Sequence, residues 1–196
     1  MSVVVARPHT LADVALPRAG WLQNVLLVVA ASLLTAAAAQ VEIRLPWTPV
    51  PVTGQTFAVL LTGIVLGARR AFMAMALYLL EGAAGLPFFA GGAAGVAALV
   101  GPSGGYLIAF PYAAFVTGLL AEKAWDRKPL TMFFTMLLGS TLIFALGLAQ
   151  LSRFVPANQL VGAGLAPFVL GDVIKSALAA AAFPLAWKWA GGRESK

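Results

Sequence analysis

Three ionisable side chains interrupt otherwise apolar stretches of this 196-residue chain: Glu81, Asp172 and Lys175. An ionised group at bilayer depth costs about 2.5–3.5 kcal/mol even on the most lenient insertion scale, which makes each a candidate functional group. Asp172 and Lys175 stand three apart in GDVIKSALA, so a helix would put them on one face with their heads within reach. Lysine offers a point positive charge to an anion, and a carboxylate accepts hydrogen bonds from N–H donors. The pair therefore either binds a ligand or closes on itself as an ion pair that lets the helix insert. Glu81 follows Tyr78 by three residues, in the middle of an apolar run with no cation beside it. It reads as a hydrogen-bonded acid, a helix-end residue or a pocket wall.

Two glycine-bearing loops add polar groups. VPVTGQT, residues 50–56, carries Thr53 and Gln55 a short way after Trp47, and GPSGGY, residues 101–106, carries Gly104 and Tyr106. With Tyr78, Glu81, Asp172 and Lys175 these form the candidate substrate-binding set. Catalytic chemistry has little to work with. Cysteine is absent and His9 is the sole histidine, which excludes thiolate nucleophiles, disulfides and the usual zinc sites. Neither loop is followed by GKS or GKT, so no phosphate-cradling loop is present and no nucleotide is expected to bind. Ser103 has no histidine to activate it, and no paired carboxylates suggest acid–base or metal work. The pattern is that of a binder or carrier, with no metal and no catalytic cofactor.

The elements that must position these groups follow from composition. Apolar residues make up 61 % of the chain and charged residues 10 %, against about 45–50 % and 25 % in a soluble domain. So much apolar side chain requires lipid around it, which excludes a free soluble enzyme and a disordered chain. The net charge of +6 comes from basic residues scattered singly or in pairs, so nucleic acid is not an expected partner. Residues 1–20 are interrupted by Pro8, Asp13 and Pro17 and do not read as a secretory signal.

Apolar runs predict six spans, at about residues 21–40, 54–68, 71–85, 106–121, 130–151 and 165–189. The second and third are shorter than the roughly 20 residues a full crossing needs. Residues 86–105, apolar but dense in glycine, are left open as loop, re-entrant or pocket-lining segment, or part of a helix. Pro46, Pro49 and Pro51 prevent a regular helix after the first span, and Pro111 and Pro184 are expected to kink theirs. With both termini inside, inner segments hold ten Lys and Arg, among them Arg7, Arg18, Arg69, Arg70, Arg127, Arg193 and Lys196, and outer segments only Arg44 and Arg153. That asymmetry is a positive-inside signal. Trp21, Trp47, Trp125, Trp187 and Trp189 fall near span ends, as interfacial anchors. The expected architecture is an all-α membrane bundle at residues 21–190, a cytoplasmic N-terminal tail at 1–20 and a cytoplasmic C-terminal tail at 191–196.

Small residues at spacing four recur. The first span carries Ala31, Thr35 and Ala39 with Ser32 and Ala36 beside them, the second Gly63 and Gly67, the last Ala177 and Ala181. Such stripes let helix backbones approach closely. The first-span stripe serves either internal packing or docking of another membrane subunit.

Four segments in order, PVPVTGQTFAVLLTGIVLG (49–67), AAGLPFFAGG (83–92), GPSGGYLIAF (101–110) and GDVIKSALA (171–179), resemble the bacterial biotin transporter family. These are the substrate-capture, or S, components of energy-coupling-factor transporters. The resemblance implies a six-helix protein of the bacterial inner or plasma membrane that binds biotin from the outer side. It implies as partners a transmembrane coupling subunit and two ATP-binding-cassette ATPases, which use the ATP. It further implies that Lys175 meets the valerate carboxylate, that Asp172 accepts a ureido N–H, and that residues 47–55 cover the pocket. Glu81 would accept a ureido N–H at the pocket's other end. The first-helix stripe, Ala31, Ser32, Thr35 and Ala36, would dock the coupling subunit. Family members also use an arginine near the third helix or the loop after it. Between Glu81 and Tyr106 this chain has no Arg or Lys, which leaves Lys175 to carry the anion alone.

Overall fold

Leucine- and alanine-rich runs free of charge have one way to satisfy their backbone in lipid, and the chain takes it. A computed structural model describes residues 10–17 and 19–191. Among the described residues nine α-helices follow in order: α1 (Leu11–Ala15), α2 (Trp21–Gln40), α3 (Gln55–Leu66), α4 (Ala68–Ala83), α5 (Val96–Val100), α6 (Gly104–Glu122), α7 (Pro129–Leu151), α8 (Ala157–Gly164) and α9 (Ala166–Gly191). The stretches 21–40, 104–122, 129–151 and 157–188 are long and apolar enough to cross a membrane. This is a multi-pass membrane bundle, all-α apart from one two-residue hairpin. Its strands, β1 (Glu42–Ile43) and β2 (Val52–Thr53), pair antiparallel with Glu42 opposite Thr53. His9, Arg7, Arg18, Arg193 and Lys196 lie outside the described residues, as does the side chain of Trp189.

Helix α6 is the axis, packed on α3, α4 and α7. The core between them is built from Val59, Leu60, Ile64, Met75, Tyr78, Phe110, Met132, Met136 and Ile143, all 2 % exposed or less. Two glycines set how closely α6 is approached. At Gly63 the space a Cβ would need is taken by Thr117 and the Ala114 carbonyl, and at Gly118 by the backbone of Gly67 and Ala68. Backbone contact of this kind replaces the hydrophobic drive that lipid removes. On the outside, Leu26, Leu33 and Leu34 of α2, Leu130 and Phe134 of α7, and Leu170, Ile174 and Leu178 of α9 are exposed.

Several expected boundaries shift. Gly67, at φ +80°, alone separates α3 from α4, so Arg69 and Arg70 lie in the first turn of α4 rather than between spans. Glu122 Oε1 accepts the Ala68 N–H at 2.9 Å and caps that helix from another. Part of the expected N-terminal tail is folded onto the bundle. Thr10 and Asp13 form a capping box on α1, which packs on α3 and α9, and Asp13 pairs with Arg70 at 2.7 Å. Residues 86–103 resolve into irregular backbone around the short α5, and Gly104 and Gly105 open α6. Helix α8, a short helix ahead of the last span, was not expected. Pro111 and Pro184 sit inside helices that continue past them.

Candidate functional site

With 12 and 16 residues, α3 and α4 reach only about 18 and 24 Å at ~1.5 Å per residue, short of the ~30 Å hydrocarbon core. The hairpin, the irregular segment around α5 and the α8–α9 junction fill the space above them. Beneath these lies a cavity of 560 Å³, within the roughly 300–1,000 Å³ typical of small-molecule sites.

A polar side chain near a helix end pins each roof segment. Gln40 of α2 donates to the Phe89 carbonyl at 3.3 Å, and Gln150 of α7 to Leu99 and Gly101 carbonyls at 3.0 and 2.7 Å. Tyr106 donates to the Gly164 carbonyl at 2.8 Å, and Thr48 to the Ala163 carbonyl at 2.7 Å. These bonds satisfy backbone that has no regular partner. The walls are aromatic: Phe89, Tyr106, Phe110, Phe144 and Phe168 line the space. Phe168 packs against both Tyr106 and Phe144, with ring centroids 6.2 and 6.1 Å apart.

Asp172 and Lys175, both on α9, line this cavity. They do not pair. Among the described residues the ion pairs within 4 Å are Arg44–Glu42 and Arg70–Asp13. Lys175 Nζ instead donates to the Thr53 carbonyl at 3.0 Å and to Thr56 Oγ1 at 3.4 Å, tying α9 to the hairpin. Asp172 is 6 % exposed, and its Oδ2 is buried with no hydrogen-bond partner, as are the hydroxyls of Ser140 and Ser176. The cavity therefore offers one unused acceptor on an apolar wall and an ammonium held by neutral oxygens. That combination suits a small, largely apolar molecule with N–H donors and an acidic group.

Thr53, Gln55 and Tyr106 also line the cavity. Other expectations need correcting. Tyr78 is fully buried beneath it, where its hydroxyl accepts from Gln55 Nε2 at 2.5 Å and donates to the Phe88 carbonyl at 3.1 Å. It positions Gln55 rather than facing a ligand. Glu81 is outside the lining and lies in the last turn of α4, not mid-span, because that helix ends at Ala83. Trp47 is 64 % exposed at the roof and does not line the space. Gly104 is buried where Leu99 and Gln150 would collide with any Cβ, a packing position, while Pro102 and Ser103 line the cavity beside it. The first-helix stripe is also internal. Ala31, Ser32, Thr35 and Ala36 are buried, with the Thr35 hydroxyl on Met75 Sδ of α4 at 3.7 Å, so they are not a docking face in this structure. Ala177 and Ala181 are the small residues that face outward. Trp187 is no free anchor either, since its indole donates to the buried Asp126 under the Arg127 guanidinium. Nor is Lys175 the only cation, because Arg44 lines the cavity too.

The BioY family model matches residues 9–192, almost the full length. The chain belongs to the BioY family. It is 40 % identical over 146 residues to a probable biotin transporter BioY of Pyrococcus horikoshii, covering 74 % of this chain and 85 % of that one. It is 43 % identical over 143 residues to the biotin transporter BioY of Thermotoga maritima, covering 70 % and 81 %. Its fold is that of a crystal structure of the S-component for biotin from an ECF-type ABC transporter, with a TM-score of 0.75 at 24 % identity, over 85 % of this chain and 92 % of that one.

Four aromatic walls, Phe89, Phe110, Phe144 and Phe168, and also Arg44 were not expected at the site of this BioY-family chain. The phenylalanines carry no pattern that separates a cavity wall from lipid-facing surface. For Arg44 a signal existed. It sits with Glu42 just ahead of the loop expected to cover the pocket, between an apolar helix and three prolines.

Proposed function

We propose that this chain is the S component that captures biotin at the outer face of a bacterial inner or plasma membrane. It hands the vitamin inward with a transmembrane coupling subunit and two ABC-type ATPases. Its six spans are α2, α3, α4, α6, α7 and α9, and both termini are cytoplasmic. The chain has no nucleotide-binding loop of its own, so the energy of uptake comes from ATP used by the partners. It binds and delivers but does not catalyse.

The observation that carries this reading is Asp172, a buried carboxylate among the residues lining an aromatic-walled cavity, with one oxygen left unpartnered. Biotin's fused rings suit the phenylalanine walls. A ureido N–H suits the vacant acceptor, and the valerate carboxylate suits Lys175. The names of the relatives point to the same vitamin. The test is uptake of labelled biotin by a biotin-requiring bacterium that lacks its own importer, with this chain expressed together with an energising module. Accumulation from dilute medium, lost in Asp172→Leu, is the expected result. Accumulation that is no better than in the empty host would refute the reading.

A further inference from the structure

The hairpin over the cavity carries an arrangement that the family resemblance does not anticipate. Arg44 and Glu42 both line the cavity. Arg44 Nε donates to Glu42 Oε1 at 2.8 Å, with side-chain exposures of 71 % and 16 %. An ion pair this open contributes little to stability. Its geometric effect is larger. With Nε engaged, the guanidinium is fixed in orientation while its two terminal nitrogens still offer a fork that matches a carboxylate.

The register connects the strand that carries this fork to Lys175. Glu42 stands directly opposite Thr53 in the hairpin, and the Thr53 carbonyl is the acceptor for Lys175 Nζ at 3.0 Å. Residues opposite each other in an antiparallel pair lie ~4.5–5.5 Å apart at Cα. One strand pair thus links the segments that hold the two cations, and both side chains line the same cavity. Gly91 makes room for the arrangement. Its φ is +65°, and the position its Cβ would take is filled by an Arg44 terminal nitrogen and the Glu42 carboxylate. Any side chain there would push the arginine off the roof.

We propose that Arg44, oriented by Glu42 and seated on Gly91, is a second cation for the acidic group of the ligand. It acts from the hairpin while Lys175 acts from α9, so the ligand's carboxylate bridges roof to wall. This rests on the biotin reading above. It would supply from the hairpin the positive charge that residues 81–106 lack.

The test is titration of purified native protein, Arg44→Gln and Glu42→Gln with biotin and with biotin amide, at low and high salt. Arg44→Gln should weaken biotin roughly tenfold to a hundredfold, the range for losing one charge-assisted hydrogen bond. It should leave the amide nearly unchanged and reduce the salt dependence of biotin binding, because an exposed contact is screened. Glu42→Gln keeps an acceptor for Nε and removes the competing charge, so biotin should bind as tightly or more tightly. Equal losses for biotin and its amide in Arg44→Gln would make the arginine only a latch between hairpin and loop. No change for either ligand would remove it from the site altogether. Native protein that binds neither ligand would overturn the biotin reading itself, and this inference with it.

Discussion

Asp172→Asn should move ligand affinity and fold stability in opposite directions. In the ligand-free protein the carboxylate is 6 % exposed and one oxygen has no partner. An unsatisfied buried polar group costs about 1–3 kcal/mol, and more when charged. Replacing the charge with an amide of the same shape removes part of that penalty. Each kcal/mol regained should raise the melting temperature by about 2–4 °C for a chain of this size. With biotin bound the balance reverses. A hydrogen bond to a charged group is worth about 1.5–3 kcal/mol, roughly twice a neutral one. Asparagine keeps a carbonyl acceptor but loses the charge, so binding should weaken by about 1–2 kcal/mol, roughly fivefold to thirtyfold in Kd. Thermal scans in detergent with and without biotin read both effects. Ligand at a hundred times Kd stabilises the native protein by about 2.7 kcal/mol, and the same concentration should stabilise the variant less. Lower stability without ligand, with unchanged affinity, would make Asp172 a structural group of the bundle and refute the reasoning.

Lys175→Ala should weaken biotin by about 2–5 kcal/mol and biotin amide far less, measured by calorimetry; a constant acid-to-amide ratio would show that the carboxylate is read elsewhere. No ion pair joins Lys175 to Asp172, so a stranded aspartate does not inflate that loss. Cysteines placed singly at Trp47 and Arg153 should react with an impermeant reagent from outside and one at Arg127 should not, against a background free of native cysteine. Outside labelling at Arg127 would break the six-span topology. Burial raises the Asp126 carboxyl above the ordinary 3.8, against the Trp187 indole and Arg127, which lower it. The folded state therefore holds this proton at pH values where the unfolded chain has released it. Stability from this group falls as pH rises from about 3.8 through the raised value. Asp126→Asn should flatten that slope in melts between pH 4 and 7, and an unchanged slope would assign it to other groups.

The apolar runs located the long helices to within a residue or two because lipid leaves the backbone no alternative to helix. The α2 bounds, Trp21–Gln40, coincide with the expected span. Residues 86–105 were not legible as loop or helix, because glycines weaken a helix without forbidding one, and a five-residue helix, α5, forms among them. Facing was not legible. Ala31 and Thr35 would have served a partner's helix as well as α4, and only packing decides between them. Glu81 looked mid-span because its run of apolar neighbours continues past the point where α4 ends at Ala83. Asp172 and Lys175 were found by the cost of burying charge, which depends on position alone. Their failure to pair depends on the hairpin, whose carbonyl takes the lysine first. Arg44 escaped notice because an arginine in a loop is ordinary until its neighbours are known.

The central claim, capture of biotin in the cavity under the hairpin, is tested most directly by calorimetric titration of the detergent-purified native chain, without partners or ATP. Saturable binding of one biotin per chain, abolished by replacing Asp172 and Lys175 together with Leu and Ala, is the predicted result. No binding above background, or binding that survives the double replacement unchanged, would contradict it.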